Sequence, residues 1–311
     1  MSTTSIAGPT GPSSRTGPRA GVDLTRRSRP GERVITVVLQ ISAYASIAIT
    51  FGIIAALIRP VIDFFGDVSP GEFFAFEGTY AVLPLVTATL MVTVIALLLA
   101  VPLGLGAALY LSEYASRRAR KFLKPTVELL AGVPSVVYGF FALTFVTPTL
   151  LQDLLRIDVG FTNALAAGLV LGVMIIPTIA SLAEDAFSAV PQSMRQGSLA
   201  MGANRMQTSL RVVFPAALSG VAAAVVLGMS RAIGETMIVT LAAGSLKKFS
   251  LDPRDGMQTM TGFMATTAGG ENPVGSIDYN KLFAVGMLLF VITLVLNLIS
   301  ISFVRRFRQV Y

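Results

Sequence analysis

The chain of 311 residues has no cysteine, no histidine and no tryptophan. Without cysteine and histidine there are no disulfides, no thiol nucleophile, no imidazole acid or base, and none of the usual zinc or copper ligand sets. An enzymatic reading loses most of its tools, and no cofactor or metal is expected. None of the lysines stands between a glycine and a Ser or Thr, as a phosphate-cradling P-loop requires, so energy for active work must come from another chain or an ion gradient. Charge is also scarce, at 13% against 53% hydrophobic residues. That balance describes a polytopic membrane protein rather than the two soluble domains this length could otherwise hold. The net charge of +7 raises nucleic acid as a partner, but the basic residues lie in loops between apolar runs. That distribution marks membrane orientation instead, so membrane lipid is expected as a partner and nucleic acid is not.

What is present is apolar and periodically interrupted. Residues 1–33 are rich in Ser, Thr, Gly, Pro and Arg, and are expected to be a disordered tail without the short apolar core of a signal peptide. Apolar runs at 34–58, 81–112, 129–152, 159–183, 215–244 and 282–304 each meet the roughly 20 residues needed to cross about 30 Å of hydrocarbon. The expected fold is all-α with six transmembrane helices. Lys and Arg concentrate in the tail, in 117–124, in 195–211 and in 305–308, which by the positive-inside rule places both termini and the 184–214 loop in the cytoplasm. Two longer segments then face outward, 59–80 and 245–281, and the second is expected to act as a lid or docking surface.

Three stretches carry chemistry. Residues 191–215 read as two short helices separated by Gly202 as a left-handed stop, with Asn204 and Gln207 spaced as a capping box. An ordinary interfacial hairpin would fit, but Leu199, Met201, Met206 and Leu210 are apolar where a solvated loop would be polar, which favours a partner groove. In the fifth run Arg231 and Glu235 are four apart on one expected helix face. They can be a salt bridge pinning helices, or an anion path with Glu235 as the resting counter-ion; at about 2.5 to 3.5 kcal/mol per buried charge the path is the default reading. In the third run Pro134 breaks the helix beside Ser135 and Tyr138, either as a kink packed through small residues or as an opening onto a water-lined path.

These residues resemble a known family, the transmembrane permease subunits of ABC importers, and within it the phosphate-specific PstC and PstA type. Gln196, Gly197, Ser198, Gly202, Val212 and Pro215 are similar to the family's coupling-loop motif, with Gln-Gly-Ser in place of Glu-Ala-Ala. More specific are Glu128-Leu-Leu-Ala-Gly-Val-Pro-Ser-Val-Val-Tyr-Gly139, Val101-Pro-Leu-Gly-Leu-Gly106 with Tyr110-Leu-Ser-Glu-Tyr114, and Arg231-Ala-Ile-Gly-Glu-Thr-Met237, whose ending is more like PstC. The resemblance covers about residues 34–308. It implies the type I ABC importer permease fold and inorganic phosphate as substrate. As partners it implies a second, PstA-like permease, a dimer of cytosolic PstB-like ATPase subunits, and an extracytoplasmic PstS-like phosphate-binding protein. ATP hydrolysis then belongs to a partner chain. On this reading the substrate path takes Arg231, Glu235, Thr236, Ser135 and Tyr138, and ATPase coupling takes Gln196, Gly197, Ser198, Ala200, Gly202 and Arg205. The alternatives are a permease for another oxyanion such as sulfate or molybdate, and a non-transporting receptor or scaffold.

Overall fold

The computed structural model describes residues 30–306, with side chains described for 33–302. The expected tail therefore falls outside the described residues except for 30–33, which already belong to the first helix. Among the described residues every regular element is helical, as a bilayer demands when no water is present to satisfy backbone groups. In order these are α1 (Pro30–Asp67), α2 (Pro70–Phe73), α3 (Leu83–Leu109) running into a π-helical turn Tyr110–Tyr114, α4 (Arg117–Ala131), α5 (Ser135–Phe141) running into a wide π-helical stretch Ala142–Leu154, and α6 (Ala164–Ser188). There follow α7 (Gln192–Ala200), α8 (Arg205–Thr208), a π-helical turn Ser209–Val213, α9 (Phe214–Ala216), α10 (Leu218–Ile233), α11 (Met237–Ala242), α12 (Met260–Ala268) and α13 (Ile277–Arg306).

Five stretches are long and apolar enough to cross a membrane: 33–67, 83–114, 135–154, 164–188 and 277–302. The sixth crossing is not one helix. Residues 205–216 and 218–233 meet at a bend of 71°, and α10 stops before α11 begins. The third crossing also starts later than expected, because Pro134, lacking an amide hydrogen, ends the preceding helix and residues 117–131 form the separate α4. Pro102, by contrast, sits inside α3 without ending it.

By contact the described residues form two units, divided between 52 and 53. The side chains of 33–53 are all exposed, Val34, Leu39, Tyr44 and Phe51 among them, a surface suited to lipid. The second unit is organised around α6, whose inward side chains, among them Val170, Leu171, Met174, Ile175 and Ile179, are almost wholly buried. Small residues bring the helices close. A Cβ on Gly172 would stand 2.9 Å from the Ala96 carbonyl oxygen of α3, so only glycine permits that approach. A second cluster joins Phe64, Phe73, Leu85, Met260 and Val285, and a third joins Ala108, Phe187, Val213 and Val221 around the start of α10.

Candidate functional site: a broken-helix centre and an exposed helical pair

The centre of interest in the bundle is where two interrupted crossings meet. α5 begins just after its break and packs on α11 so tightly that a Cβ on Gly139 would come within 2.7 Å of Leu241 Cδ1. α10 ends at Ile233, Gly234 caps it, and α11 restarts at Met237. Arg231 lies on the last turn of α10, exposed, and donates from Nη1 to Thr178 Oγ1 of α6 at 3.0 Å. The guanidinium is within electrostatic reach of Tyr138, whose hydroxyl donates to the Leu130 carbonyl at 3.0 Å across the α4–α5 break. Ser135 is half-buried on the first turn of α5.

The expected Arg231–Glu235 ion pair is not formed. Four residues share a face only in a continuous helix, and the helix stops between them. Glu235 Oε1 instead accepts from the backbone amides of Met237 at 3.0 Å and Ile238 at 3.3 Å, satisfying the free donors at the start of α11. Its carbonyl accepts from Thr261 Oγ1 at 2.6 Å, fastening the break to α12. Thr236, half-buried, precedes α11 and accepts Thr240 through its carbonyl. The structure thus leaves Arg231 within electrostatic reach of Tyr138 and gives Glu235 a separate, local task.

At the end of the bundle beyond α6, α7 and α8 pack as a helix, turn, helix. Gly202 has φ of +85°, the left-handed stop that reverses the chain. Asn204 and Gln207 form a full capping box, with Gln207 N donating to Asn204 Oδ1 at 2.8 Å and Asn204 N to Gln207 Oε1 at 3.0 Å. Gln196, Gly197, Ala200, Gly202 and Arg205 are all exposed, as are Leu199, Met206 and Leu210, and Met201 is 89% exposed. Ser198 differs: half-buried, its hydroxyl lies 3.0 Å from that of Thr208 and ties α7 to α8.

What anchors this pair to the bundle was not foreseen. Arg195 of α7 bonds Glu113 Oε1 from Nε at 3.2 Å and Nη2 at 2.9 Å, the Phe187 carbonyl from Nη2 at 2.7 Å, and the Val190 carbonyl from Nη1. Nearby Glu184, fully buried on α6, is held by Arg120, by Lys124 Nζ at 2.6 Å and by Ser188 Oγ at 2.9 Å. Lys124 also meets Asp185 at 2.9 Å, and hydrogen bonds to Glu184 and then Asp185 raise its pKa above the usual lysine value. Arg120, Glu113, Arg195, Gln196 and Arg205 line a cleft of about 320 Å³ between these elements. The signal in sequence was an acidic pair, Glu184-Asp185, directly after an apolar run and opposite a basic one.

At the opposite end the segment after α11 is fastened rather than loose. Met257 N donates to the Ala243 carbonyl and Met260 N to Thr89 Oγ1, and both methionine side chains are buried. Lys247 Nζ donates to the carbonyls of Gly78 at 2.7 Å and Thr79 at 2.5 Å, and Lys281 Nζ donates to Thr79 at 2.6 Å, stapling the 74–82 loop to this segment. Burial lowers the pKa of Lys247. On the exposed rim Arg254 clasps Asp252 and holds its carboxyl down at about 2.

Residues 100–309 match the family model described as the binding-protein-dependent transport system inner membrane component. The chain belongs to this family. It is 37% identical over 272 residues to a Bacillus subtilis protein named as a probable ABC transporter permease, covering 85% of this chain and 86% of that one. It is 37% identical over 248 residues to the Mycobacterium tuberculosis phosphate transport system permease protein PstC 1, with 73% of each covered, and 32% identical over 246 residues to the Haemophilus influenzae PstC, covering 74% and 77%. Among solved structures, a bacterial alginate ABC transporter aligns with a TM-score of 0.65 at 16% identity over 90% of this chain and 98% of that one. The MetNI methionine transporter aligns at 0.54 and 18% identity, covering 73% and 94%. The fold is that of the type I ABC importer permease, and the chain is a multi-pass membrane permease subunit.

Proposed function

We propose that this permease subunit carries inorganic phosphate across the cell membrane as half of a two-permease path, with a PstA-like partner permease, PstB-like ATPase subunits docked on α7 and α8, and a PstS-like binding protein delivering phosphate from outside. The observation that carries the substrate is Arg231: exposed at the junction of two broken crossings, with one hydroxyl partner among the described residues and the rest of its donor fork open to them. A planar guanidinium matches two phosphate oxygens at once, which suits an oxyanion and gives no advantage for an uncharged cargo. Tyr138, and Ser135 and Thr236 at the flanking helix starts, supply hydroxyls along the same path, while Glu235 shapes it by holding α11. The relatives named as phosphate permeases support phosphate among oxyanions.

On the same proposal both termini and α7–α8 are cytoplasmic, where exposed Leu199, Met201 and Met206 meet an ATPase groove and Gln196, Gly197, Ala200, Gly202 and Arg205 form the contact surface. Uptake of labelled phosphate and of labelled sulfate into vesicles holding the complete complex tests the substrate; uptake of sulfate but not phosphate reassigns it to another oxyanion, and uptake of neither removes the transport role. Orientation is tested separately. In a chain with no native cysteine, Asp255→Cys is expected to react with an impermeant maleimide from outside and Arg118→Cys is not, and reversed labelling overturns the orientation.

A further inference from the structure

α4 has a surface that neither the substrate path nor α7–α8 uses. Its inner face is spoken for: Arg120 pairs with Glu184, Lys124 with Glu184 and Asp185, and Glu128 Oε1 receives the Ser181 hydroxyl at 3.5 Å, so α4 runs antiparallel beside the last turns of α6. Outside this face, Arg117, Arg118 and Lys121 are exposed and have no hydrogen-bond or ion-pair partner among the described residues. Arg117 and Lys121, four apart, edge a cleft of about 380 Å³ that Arg120, Lys124, Pro125 and Glu128 complete. One helical stripe round from it, Phe122 and Leu129 are 72% and 74% exposed. Two residues after α4 ends comes the break before α5, which opens a membrane crossing, so the apolar end of α4 lies toward the hydrocarbon and the basic end away from it.

We propose that α4 is a binding site for an anionic phospholipid, its headgroup phosphate held in the cleft by Arg117 and Lys121 with Arg118 beside it, and its acyl chains lying along Phe122 and Leu129. A basic stripe next to an apolar one is the pattern of a helix seated in the headgroup region. Three cations are left uncompensated there, against the single carboxylate of Glu128, and a headgroup phosphate supplies the missing charge. A soluble acidic protein would match the charges but leave Phe122 and Leu129 uncovered. A zwitterionic lipid would cover the apolar stripe, but its phosphate is already offset by its own cation and adds no net negative charge against the three. The site does not depend on the transported substrate, so it stands or falls apart from the proposed function.

The purified full chain, equilibrated in mild detergent with equal amounts of phosphatidylglycerol and phosphatidylcholine, is expected to retain phosphatidylglycerol when ionised intact in a mass spectrometer. At about fivefold for each basic residue near an anionic surface, the triple variant Arg117→Gln, Arg118→Gln, Lys121→Gln is expected to lose roughly a hundredfold in that preference. The variant Arg117→Lys, Arg118→Lys keeps the charge and is expected to keep the lipid, which separates charge from folding. Excess inorganic phosphate is expected to leave the bound lipid in place. Equal retention of both lipids by the native chain, unchanged retention by the triple variant, or displacement by inorganic phosphate would each overturn the site.

Discussion

At the α7 end, Arg195 spends its guanidinium on Glu113 and on the carbonyls of Phe187 and Val190, whereas at the broken-helix centre Arg231 makes one hydrogen bond among the described residues, to Thr178, and is otherwise exposed. The two arginines have the same chemistry and opposite surroundings. The Arg195 side chain is 12% exposed and the Glu113 side chain 8%, so that region is a closed joint in which each guanidinium nitrogen has a fixed acceptor. The Arg231 region is an open one. Arg195 ties α7 to the turn that follows α3 and to the end of α6, whereas Arg231 keeps the open surroundings that the proposed path requires.

The first way to break this contrast is to remove each arginine in turn. Arg195→Ala strands Glu113 and two carbonyls in a nearly closed site, and breaking such a pair costs about 3 to 5 kcal/mol. The expected outcome is a large fall in thermal midpoint in detergent, partly recovered when Glu113→Gln is added. A midpoint unchanged from the native chain would mean that α7 is held by other contacts. Arg231→Lys is expected to leave the midpoint within about 1 kcal/mol of native, since one solvent-exposed hydrogen bond to a hydroxyl is at stake and lysine can also donate, yet to lower phosphate uptake by roughly ten- to a hundredfold, the worth of a charge-assisted bond to an ion. Loss of stability without loss of uptake would make Arg231 a second structural joint and erase the comparison.

Gly202→Val sharpens the same contrast on the exposed side of α7. Nothing lies within 4 Å of a Cβ at this position, so the penalty is conformational alone, from holding a β-branched residue at φ of +85°. That is about 1 to 3 kcal/mol, concentrated in the turn between α7 and α8. The bundle is expected to insert and melt normally while the ATPase subunits co-purify poorly. Asn at the same site, which tolerates left-handed backbone, is expected to restore most of the association. Normal recruitment in Gly202→Val would remove the turn from the coupling surface.

Much of this architecture was legible in the chain. The apolar runs gave the crossings, because hydrocarbon thickness fixes their length, and the turn at Gly202 and the box at Asn204 and Gln207 were visible because caps are local chemistry. Pro134 likewise announced the start of α5. What could not be read was anything depending on which helix lies beside which. The Glu113–Arg195 joint spans 82 positions and Lys124–Glu184 spans 60, and no spacing rule reaches that far. The Arg231–Glu235 pairing went wrong for a different reason. Residues 215–244 are apolar throughout enough to read as one helix, and the break at Gly234 is stabilised by Thr261 from another segment and by Glu235 itself. A carboxylate four residues from an arginine has two uses, and only the backbone path decides between them.

That decision yields the smallest and most discriminating expectation, for Glu235→Gln. If Glu235 served as counter-ion to Arg231, neutralising it would leave the guanidinium free to hold its anion too tightly, and uptake would fall sharply. In the structure its carboxylate instead receives two amides at the start of α11, and a glutamine side chain keeps a carbonyl oxygen in the same place. Only the interaction of negative charge with the helix start is lost, about 0.3 to 1 kcal/mol. Glu235→Gln is therefore expected to melt within about 1 kcal/mol of the native chain and to take up phosphate within about threefold of its rate. Glu235→Ala, which removes the acceptor altogether, is expected to cost about 1 kcal/mol more. Adding Glu235→Gln to Arg231→Lys is expected to change uptake no further, because the two side chains act on different things. A fall in uptake for Glu235→Gln as deep as that for Arg231→Lys, at an unchanged midpoint, would show that the carboxylate reaches Arg231 or the passing anion in another state of the transport cycle.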